Sequence, residues 1–294
     1  MPEVSTLASI RTEDVRISCE DDYSLAATVF HPADSPRAAI MFGPATGIKR
    51  QFYAGLAGHL AELGYAAVTF DNRGIGDSLE GSIAKSEASL RDWGYLDMTA
   101  VLEHLKQTFP GTNYHLLGHS AGGQLVGLMH NAKDLKSMFN FACSSGRLAN
   151  LRMPFKIRGR FFMNVFIPLS NTVFGYTKSP WFGMGENLPR TVAAEWNEWC
   201  SGQGYVKTVF GKTVHEHLYD ELDFPSMWLN ASDDDIAMNE NVEDMISVFA
   251  KLPSERIELH PSDHGLKEIG HMKFFSRKSK VLWKLAEDWF EKHS

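Results

Sequence analysis

The sequence has few cysteines, and they follow no pattern that would staple a fold or bind a metal. Cys19, Cys143 and Cys200 are the only three in 294 residues, without a CxxC or Cys/His zinc motif. Their odd number and wide spacing favour a reducing compartment, so we expect a cytoplasmic protein. We expect no metal or other cofactor, because His215 and His217 are two residues apart, diverge on a helix and have no evident third ligand.

Long apolar runs and an excess of basic charge are also lacking. No run approaches about 18 apolar residues, and Glu3 and Arg11 interrupt the stretch where a signal peptide would need an apolar core. We therefore expect no stable membrane insertion. Twenty-nine Lys and Arg against 36 Asp and Glu give a formal charge of −7, the wrong sign for a nucleic-acid partner. With 24 Gly and 12 Pro, the chain is neither collagen-like nor of low complexity.

The hydrophobic periodicity predicts an α/β fold. Residues 13–31 predict two antiparallel strands, and residues 37–43 predict a short buried strand. Predicted helices and strands then alternate, which is typical of a mostly parallel sheet with helices on both faces. The predicted helices are 51–64, 92–109, 121–131, 239–251 and one at the C-terminus, and the later strands are 65–70, 114–119, 138–143, 226–231 and 256–260.

One long segment, residues 147–222, fits neither period. Four prolines interrupt it, and positions 151–210 contain 12 aromatic residues. We interpret it as a helical cap or lid insertion, whose aromatic residues form a small core of their own, line an apolar substrate pocket, or do both. The aromatic residues that we predict to contact substrate are Phe161, Phe162, Phe166, Trp181 and Phe182.

A GxSxG motif lies between a predicted strand and a predicted helix. It reads Gly118-His119-Ser120-Ala121-Gly122, and the strand–turn–helix setting is the one that a nucleophile elbow requires. Ser120 would occupy a strained turn, where glycines avoid collisions with neighbouring elements. The Ala121 amide, at the start of the helix, can point at a developing oxyanion. We predict that Ser120 is a nucleophile. Ser78, within a GDSL sequence, lacks the DxxH partner of that chemistry and is interpreted as a turn residue.

The second oxyanion donor is expected in the loop after the third predicted strand, Gly43-Pro44-Ala45-Thr46-Gly47. Its small residues permit a close approach of the backbone. We assign the donor to the Ala45 amide, with the Thr46 amide as the alternative. An ordinary tight turn is the remaining interpretation.

The acid and the base should follow the last two predicted strands, in that order. Asp233, Asp234 and Asp235 follow residues 226–231, and we choose Asp234 as the acid, with Asp235 favouring the start of the next helix. His271 is our choice for the base because it lies shortly before the last helix. His264 is the rival, since Gly265 beside it could permit the same close approach as Gly270.

At these residues the chain resembles the α/β-hydrolase superfamily, specifically the bacterial predicted hydrolases related to serine aminopeptidase-like and monoacylglycerol-lipase-like enzymes. The resemblance implies a Ser-Asp-His triad of Ser120, Asp234 and His271, with the amides of Ala45 and Ala121 as the oxyanion hole. Gly43-Pro44 replaces the His-Gly that is common in the superfamily. The motifs behind the resemblance are Gly43–Gly47, Asp71–Ser78, Asp92–Gly94, Gly118–Gly123, Ser232–Asp234, Ile269–His271 and Phe274–Phe275.

These observations predict a serine hydrolase that cleaves small-molecule carboxylic esters through an acyl-enzyme, with apolar acyl groups favoured. Amidase or aminopeptidase, thioesterase and acyltransferase activities use the same residues and remain alternatives. A noncatalytic binding protein with this fold is the alternative from another class. Because the three predicted catalytic residues span both halves of the chain, we predict one domain, residues 1–294, that contains the insertion at 147–222.

Overall fold

The computed structural model describes residues 10–294. Residues 1–9, which include the Glu3 used to argue against a signal peptide, lie outside the described residues. No helix within 10–294 is both long and apolar enough to cross a membrane. The strands are β1 Arg11–Ser18, β2 Ser24–His31, β3 Ala39–Gly43, β4 Ala66–Phe70, β5 Tyr114–His119, β6 Leu135–Phe141, β7 Tyr176–Thr177, β8 Leu188–Pro189, β9 Ser226–Ala231 and β10 Ser254–Leu259.

Eight of these strands form one mostly parallel sheet in the order β1-β2-β4-β3-β5-β6-β9-β10. The β1–β2 pair is antiparallel, and β2 also pairs antiparallel with β4. All other neighbours in this order, from β4 through β3, β5, β6 and β9 to β10, pair in parallel. Every residue of β3, β4 and β9 is buried, as expected for central strands covered on both faces. The predicted α/β-hydrolase architecture, including its antiparallel N-terminal pair, is confirmed.

Helices connect the parallel strands, and two of them end earlier than predicted. The helix predicted at 239–251 ends at Ile246. The helix predicted at 121–131 ends at Gln124 and is followed by a 3₁₀ turn at Val126–Leu128. The Gly127 carbonyl accepts a hydrogen bond from the Leu218 N–H instead of continuing the helix. The α-helices are α1 Ala54–Glu62, α2 Leu90–Asp92, α3 Thr99–Thr108, α4 Ala121–Gln124, α5 Phe155–Phe161, α6 Ile167–Phe174, α7 Arg190–Ser201, α8 Asn239–Ile246 and α9 Trp283–His293.

Three helices and a short ribbon lie between β6 and β9, within the segment for which we predicted an insertion. A π-helical stretch, Phe162–Phe166, joins α5 to α6, and β7 pairs with β8 in an antiparallel ribbon. Phe162, Met163 and Ile167 are buried on the inner side of these helices. The segment therefore has an apolar inner side packed on the rest of the core.

Candidate active site

Ser120 occupies a strained turn between β5 and α4. Its φ of +49° and ψ of −116° lie outside the regions that residues with a side chain normally adopt. The Ser120 N–H donates to the Phe141 carbonyl at 3.1 Å, and the Ser120 carbonyl accepts from the Gly123 N–H at 3.2 Å. Bonds to the neighbouring strand and to the following helix thus hold the turn, and Ser120 borders the cavity described below.

Glycine is required where this turn meets the loop after β3. A Cβ atom on Gly122 would lie 1.9 Å from the carbonyl oxygen of Gly43, and one on Gly118 would lie 2.6 Å from the Cα of Gly123. Real Cβ atoms do not approach other atoms so closely, so any side chain at these positions would force the backbones apart. The two glycines keep Ser120 close to the loop that we predicted to supply the second oxyanion donor.

His271 and Asp234 form a close pair at the carboxyl end of β9. The Nδ1 atom of His271 lies 2.8 Å from Oδ2 of Asp234, and the other carboxylate oxygen accepts from the N–H groups of Ile236 and Ala237. Burial alone would raise the pKa of the Asp234 carboxyl, but His271 and the two N–H donors outweigh it and hold the pKa below its usual range. Asp234 is therefore ionised, and the structure brings it together with His271 rather than with His264.

The second hydrogen bond of the predicted triad, between Ser120 and His271, is not formed in this structure. Ser120 and His271 border the same cavity. Among residues 10–294, the hydrogen bonds of His271 include Asp234 and do not include the Ser120 hydroxyl. Hydrogen bonds between a nucleophile and its base are often long or poorly aligned until substrate is bound, so this geometry is compatible with a serine nucleophile.

Asp233 has a positioning contact that the sequence reasoning missed. Its two carboxylate oxygens accept from the N–H groups of Ile269 and Gly270, at 3.0 and 2.9 Å, and these residues immediately precede His271. The signal was present, since three consecutive aspartates offer more carboxylates than one imidazole needs. The role suggested for Asp235 is wrong, because α8 begins only at Asn239 and Asp235 is exposed.

We expect the Asp233→Ala variant to lower kcat/KM about tenfold, because a small misplacement of a catalytic group is costly. The substitution leaves the N–H groups of Ile269 and Gly270 without their carboxylate and loosens the segment that carries His271. Asp235→Ala is the matched control and should change kcat/KM little. Steady-state kinetics with a soluble ester provide the measurement, and equal effects of the two variants would contradict the positioning role.

A buried chain of hydrogen bonds joins the loop after β3 to the backbone of His271. The Ala45 N–H lies 2.8 Å from the Tyr53 hydroxyl, which lies 2.9 Å from Nδ1 of His119, and Nε2 of His119 lies 2.9 Å from the His271 carbonyl. A carbonyl only accepts, so Nε2 carries the proton. Burial, with a contribution from His271, lowers the pKa of His119 to about 3. His119 is therefore neutral, and its Nδ1 accepts from Tyr53, whose oxygen accepts from Ala45.

This chain changes the expected oxyanion donors. Ala45 was the first choice, but its N–H is already paired with the Tyr53 hydroxyl, which is almost completely buried. Ala45 could serve an oxyanion only by giving up that bond. Ala45 and Thr46 both border the cavity, but the N–H of Thr46, the alternative, has no hydrogen bond among residues 10–294. The geometry thus favours Thr46 over Ala45.

A cavity of about 370 Å³ lies between the 147–222 segment and the turn of Ser120. Its volume is in the range of small-molecule sites. Arg158 and His271 are the ionisable nitrogen groups at its wall, and no carboxylate lines it among the described residues. Most of the lining is apolar and comes from Ala45, Ile48, Leu148, Leu151, Phe155, Phe162, Met163, Phe182, Met184, Trp196, Ile236 and Met272.

Two of the five aromatic residues predicted to contact substrate line this cavity. Phe162 and Phe182 do so, whereas Phe161, Phe166 and Trp181 lie outside its lining. Phe161 is half exposed, and Trp181 is 65% exposed. The aromatic content alone does not show which side chains face the cavity. Phe161 and Trp181 are exposed, whereas Phe166 packs against the lining residues Phe162 and Phe182, with ring centroids 5.8 and 4.5 Å away.

Cys200 also lines the cavity, and its thiol is a second candidate nucleophile. Burial raises the pKa of its thiol to about 12, so the thiol is protonated near neutral pH. A protonated thiol is a poor nucleophile. Between these two side chains, Ser120 therefore stays the predicted nucleophile.

Comparisons with known proteins agree with this architecture. No curated protein matches the sequence significantly. The solved monoglyceride lipase of Saccharomyces cerevisiae, a soluble variant bound to a substrate analogue, is 14% identical, with 100% of this chain and 98% of that chain covered and a TM-score of 0.65. The Pyrococcus furiosus esterase is 12% identical, with 97% and 91% covered and a TM-score of 0.61. At these identities the likeness establishes the fold.

A family comparison goes further than the fold. The family model described as serine aminopeptidase, S33, matches residues 34–181, which is half of the chain and includes the loop after β3 and the turn of Ser120. The protein belongs to this serine aminopeptidase S33 family of α/β-hydrolases.

Proposed function

We propose that the protein is a serine hydrolase that cleaves carboxylic esters with apolar acyl groups. The observation that carries the proposal is the ionised, buried Asp234 paired with His271, which borders one apolar cavity with the strained Ser120. A serine in that setting needs a neighbouring base, and the base needs a group that fixes its tautomer. Asp234 supplies the latter through Nδ1, which leaves Nε2 of His271 to exchange protons.

In the proposed mechanism, Nε2 of His271 takes the proton of Ser120 as the serine oxygen attacks the ester carbonyl. The N–H groups of Ala121 and Thr46 donate to the oxyanion that forms. Collapse of this tetrahedral intermediate breaks its bond to the alcohol oxygen. The alcohol leaves with the proton from His271, and Ser120 remains acylated. Water then attacks the acyl-enzyme in the same way, with His271 as the base, and releases the acid and free Ser120.

The composition of the cavity wall supports an apolar acyl group over an aminoacyl group. An aminopeptidase must bind the ammonium group of its substrate, and a carboxylate is the natural partner of that charge. No carboxylate lines the cavity among the described residues, and its charged rim residue is the cation Arg158. Burying an ammonium group there without a partner would be costly. Aminopeptidase activity is the second candidate because the family model carries that description.

We expect a fluorophosphonate probe to label Ser120, and we expect turnover of p-nitrophenyl esters of apolar acids to exceed turnover of aminoacyl p-nitroanilides. The reason is that the esters place an apolar acyl group against the cavity wall, where the anilides would place an ammonium. Mass spectrometry of the labelled peptide and a substrate panel are the measurements. Absence of labelling would favour the noncatalytic binding protein, and a preference for the anilides would favour the aminopeptidase.

A further inference from the structure

Large apolar side chains are exposed mainly in one part of the molecule. Of the twelve large hydrophobic residues that are exposed among residues 10–294, eight lie between positions 153 and 181. Monomeric soluble proteins rarely expose contiguous apolar patches larger than about a few hundred Å², and larger ones mark sites that bind a partner or a membrane. These eight residues, which we call the cap stripe, are Met153, Ile157, Phe161, Val165, Leu169, Val173, Phe174 and Trp181.

The spacing of the cap stripe places most of its members along one side of the helices α5 and α6. Six of its members, from Met153 to Val173, follow each other at intervals of four, and each is 48–65% exposed. In a straight α-helix such positions drift by about 40° at each step. The π-helical stretch Phe162–Phe166 takes up an additional residue in its turn and offsets much of that drift. The stripe therefore runs along one side of the α5–α6 rod, which is about 30 Å long.

The far end of the stripe widens into an aromatic and cationic corner. Trp181 lies 5.9 Å from the ring of Phe174, and the ammonium of Lys178 lies over both rings. Tryptophan and lysine with an apolar neighbour are the side chains that favour the boundary between lipid headgroups and acyl chains. This corner and the stripe form one surface because Phe174 ends α6.

The charged residues within the segment that carries the stripe are of one sign. Residues 147–185 contain six Lys or Arg and no Asp or Glu, although the whole chain has a formal charge of −7. Arg152, Arg158 and Arg160 are exposed. An amphipathic helical surface with an apolar stripe and flanking cations is typical of segments that lie on anionic membranes.

We propose that the cap stripe docks the protein on anionic lipid surfaces, reversibly and without a segment that crosses the bilayer. A second copy of this chain fits the stripe less well, because two such surfaces would bring like charges together. The opposite side of the same helices, including Phe155, Phe162 and Met163, lines the cavity of Ser120. Docking would therefore place the cavity beside the lipid that holds apolar substrates.

The test uses the full chain carrying Ser120→Ala, so that binding is measured without turnover. Flotation with vesicles of equal parts phosphatidylcholine and phosphatidylglycerol gives the partition coefficient. We expect binding to these vesicles and much less to phosphatidylcholine alone. Ile157→Ser/Leu169→Ser/Val173→Ser should lower the partition coefficient at least about tenfold, since each residue loses apolar burial. Leu63→Ser/Ile257→Ser/Val281→Ser, with three exposed apolar residues elsewhere, is the matched control and should bind like the parent.

Charge is tested separately with Arg152→Gln/Arg160→Gln, which should reduce the preference for phosphatidylglycerol, against Lys278→Gln/Lys284→Gln as the control. The proposal is overturned if the parent does not float, if the stripe variant and its control bind equally, or if sedimentation shows that the stripe instead holds a dimer that ignores vesicles. Hydrolysis of a soluble ester, measured in the stripe variant with Ser120 restored, should be unchanged. Vesicle binding without any esterase activity would leave this inference standing while the proposed function fails.

Discussion

The Ser120→Ala variant should lose ester hydrolysis by roughly 10⁵ to 10⁶ in kcat, the effect of removing a triad serine in other serine hydrolases. The substitution removes the oxygen that we propose becomes acylated, while the strained turn stays fixed by backbone bonds to Phe141 and Gly123. Alanine also keeps the small volume that the turn accommodates. Steady-state kinetics should show the loss, and circular dichroism should show an unchanged fold.

Cys200→Ala is the matched control for this result, because Cys200 borders the same cavity. Its pKa of about 12 means that the thiol does not supply an attacking thiolate at neutral pH. We expect turnover within a few-fold of the parent. If Cys200→Ala abolishes turnover while Ser120→Ala does not, the nucleophile is the cysteine and the proposed mechanism is wrong.

The sequence predicted the sheet well because its central strands carry a strong local signal. Residues 65–70 are apolar except for Thr69, residues 227–229 are apolar, and a strand that helices cover on both faces requires such a run. The conformation of the GxSxG turn was also predictable, since its glycines report a close approach of two backbones. In the structure, a Cβ atom on Gly122 would lie 1.9 Å from the Gly43 carbonyl oxygen, which is the close approach that the glycines predict.

Contacts between side chains and the backbone were harder to predict. The pairing of the Ala45 amide with the Tyr53 hydroxyl, eight positions later, depends on how the 3₁₀ turn Arg50–Tyr53 packs before α1, and no local pattern encodes it. The same is true of Asp233 and the N–H groups of Ile269 and Gly270, which are 36 and 37 positions away. Residue type gives the donors and acceptors, but only the fold selects the pairs.

The 147–222 segment shows a different limit. Its aromatic content predicted a pocket lining, but the helical phase decides which side chains face inward. Adjacent residues of a helix point about 100° apart, so Phe162 lines the cavity while Phe161 is half exposed, and the π-helical stretch at Phe162–Phe166 shifts the phase of the residues that follow. A π-helical turn inside a helix leaves little trace in a single sequence, and the assignment of neighbouring aromatic residues therefore needed the structure.

His271→Ala should lower kcat by about as much as Ser120→Ala, again roughly 10⁵ to 10⁶, because a serine without its base stays protonated. His264→Ala is the control from the same loop region. It should change kcat by less than about tenfold, since it is His271 that Asp234 contacts at 2.8 Å. The reverse result, a crippling effect of His264→Ala, would show that the base is assigned to the wrong histidine.

The double variant Ser120→Ala/His271→Ala tests whether the two side chains act in the same catalytic step. If the two side chains act as a unit, the double variant should be no slower than either single variant, because the first substitution has already removed the step in which both take part. If His271 instead acts only through the structure of the loop, its substitution should lower kcat further in the Ser120→Ala background, and the unfolding midpoint in urea should fall with it. Measured together, residual kcat and unfolding midpoint therefore separate a histidine that moves the Ser120 proton from one that merely anchors the loop to Asp234.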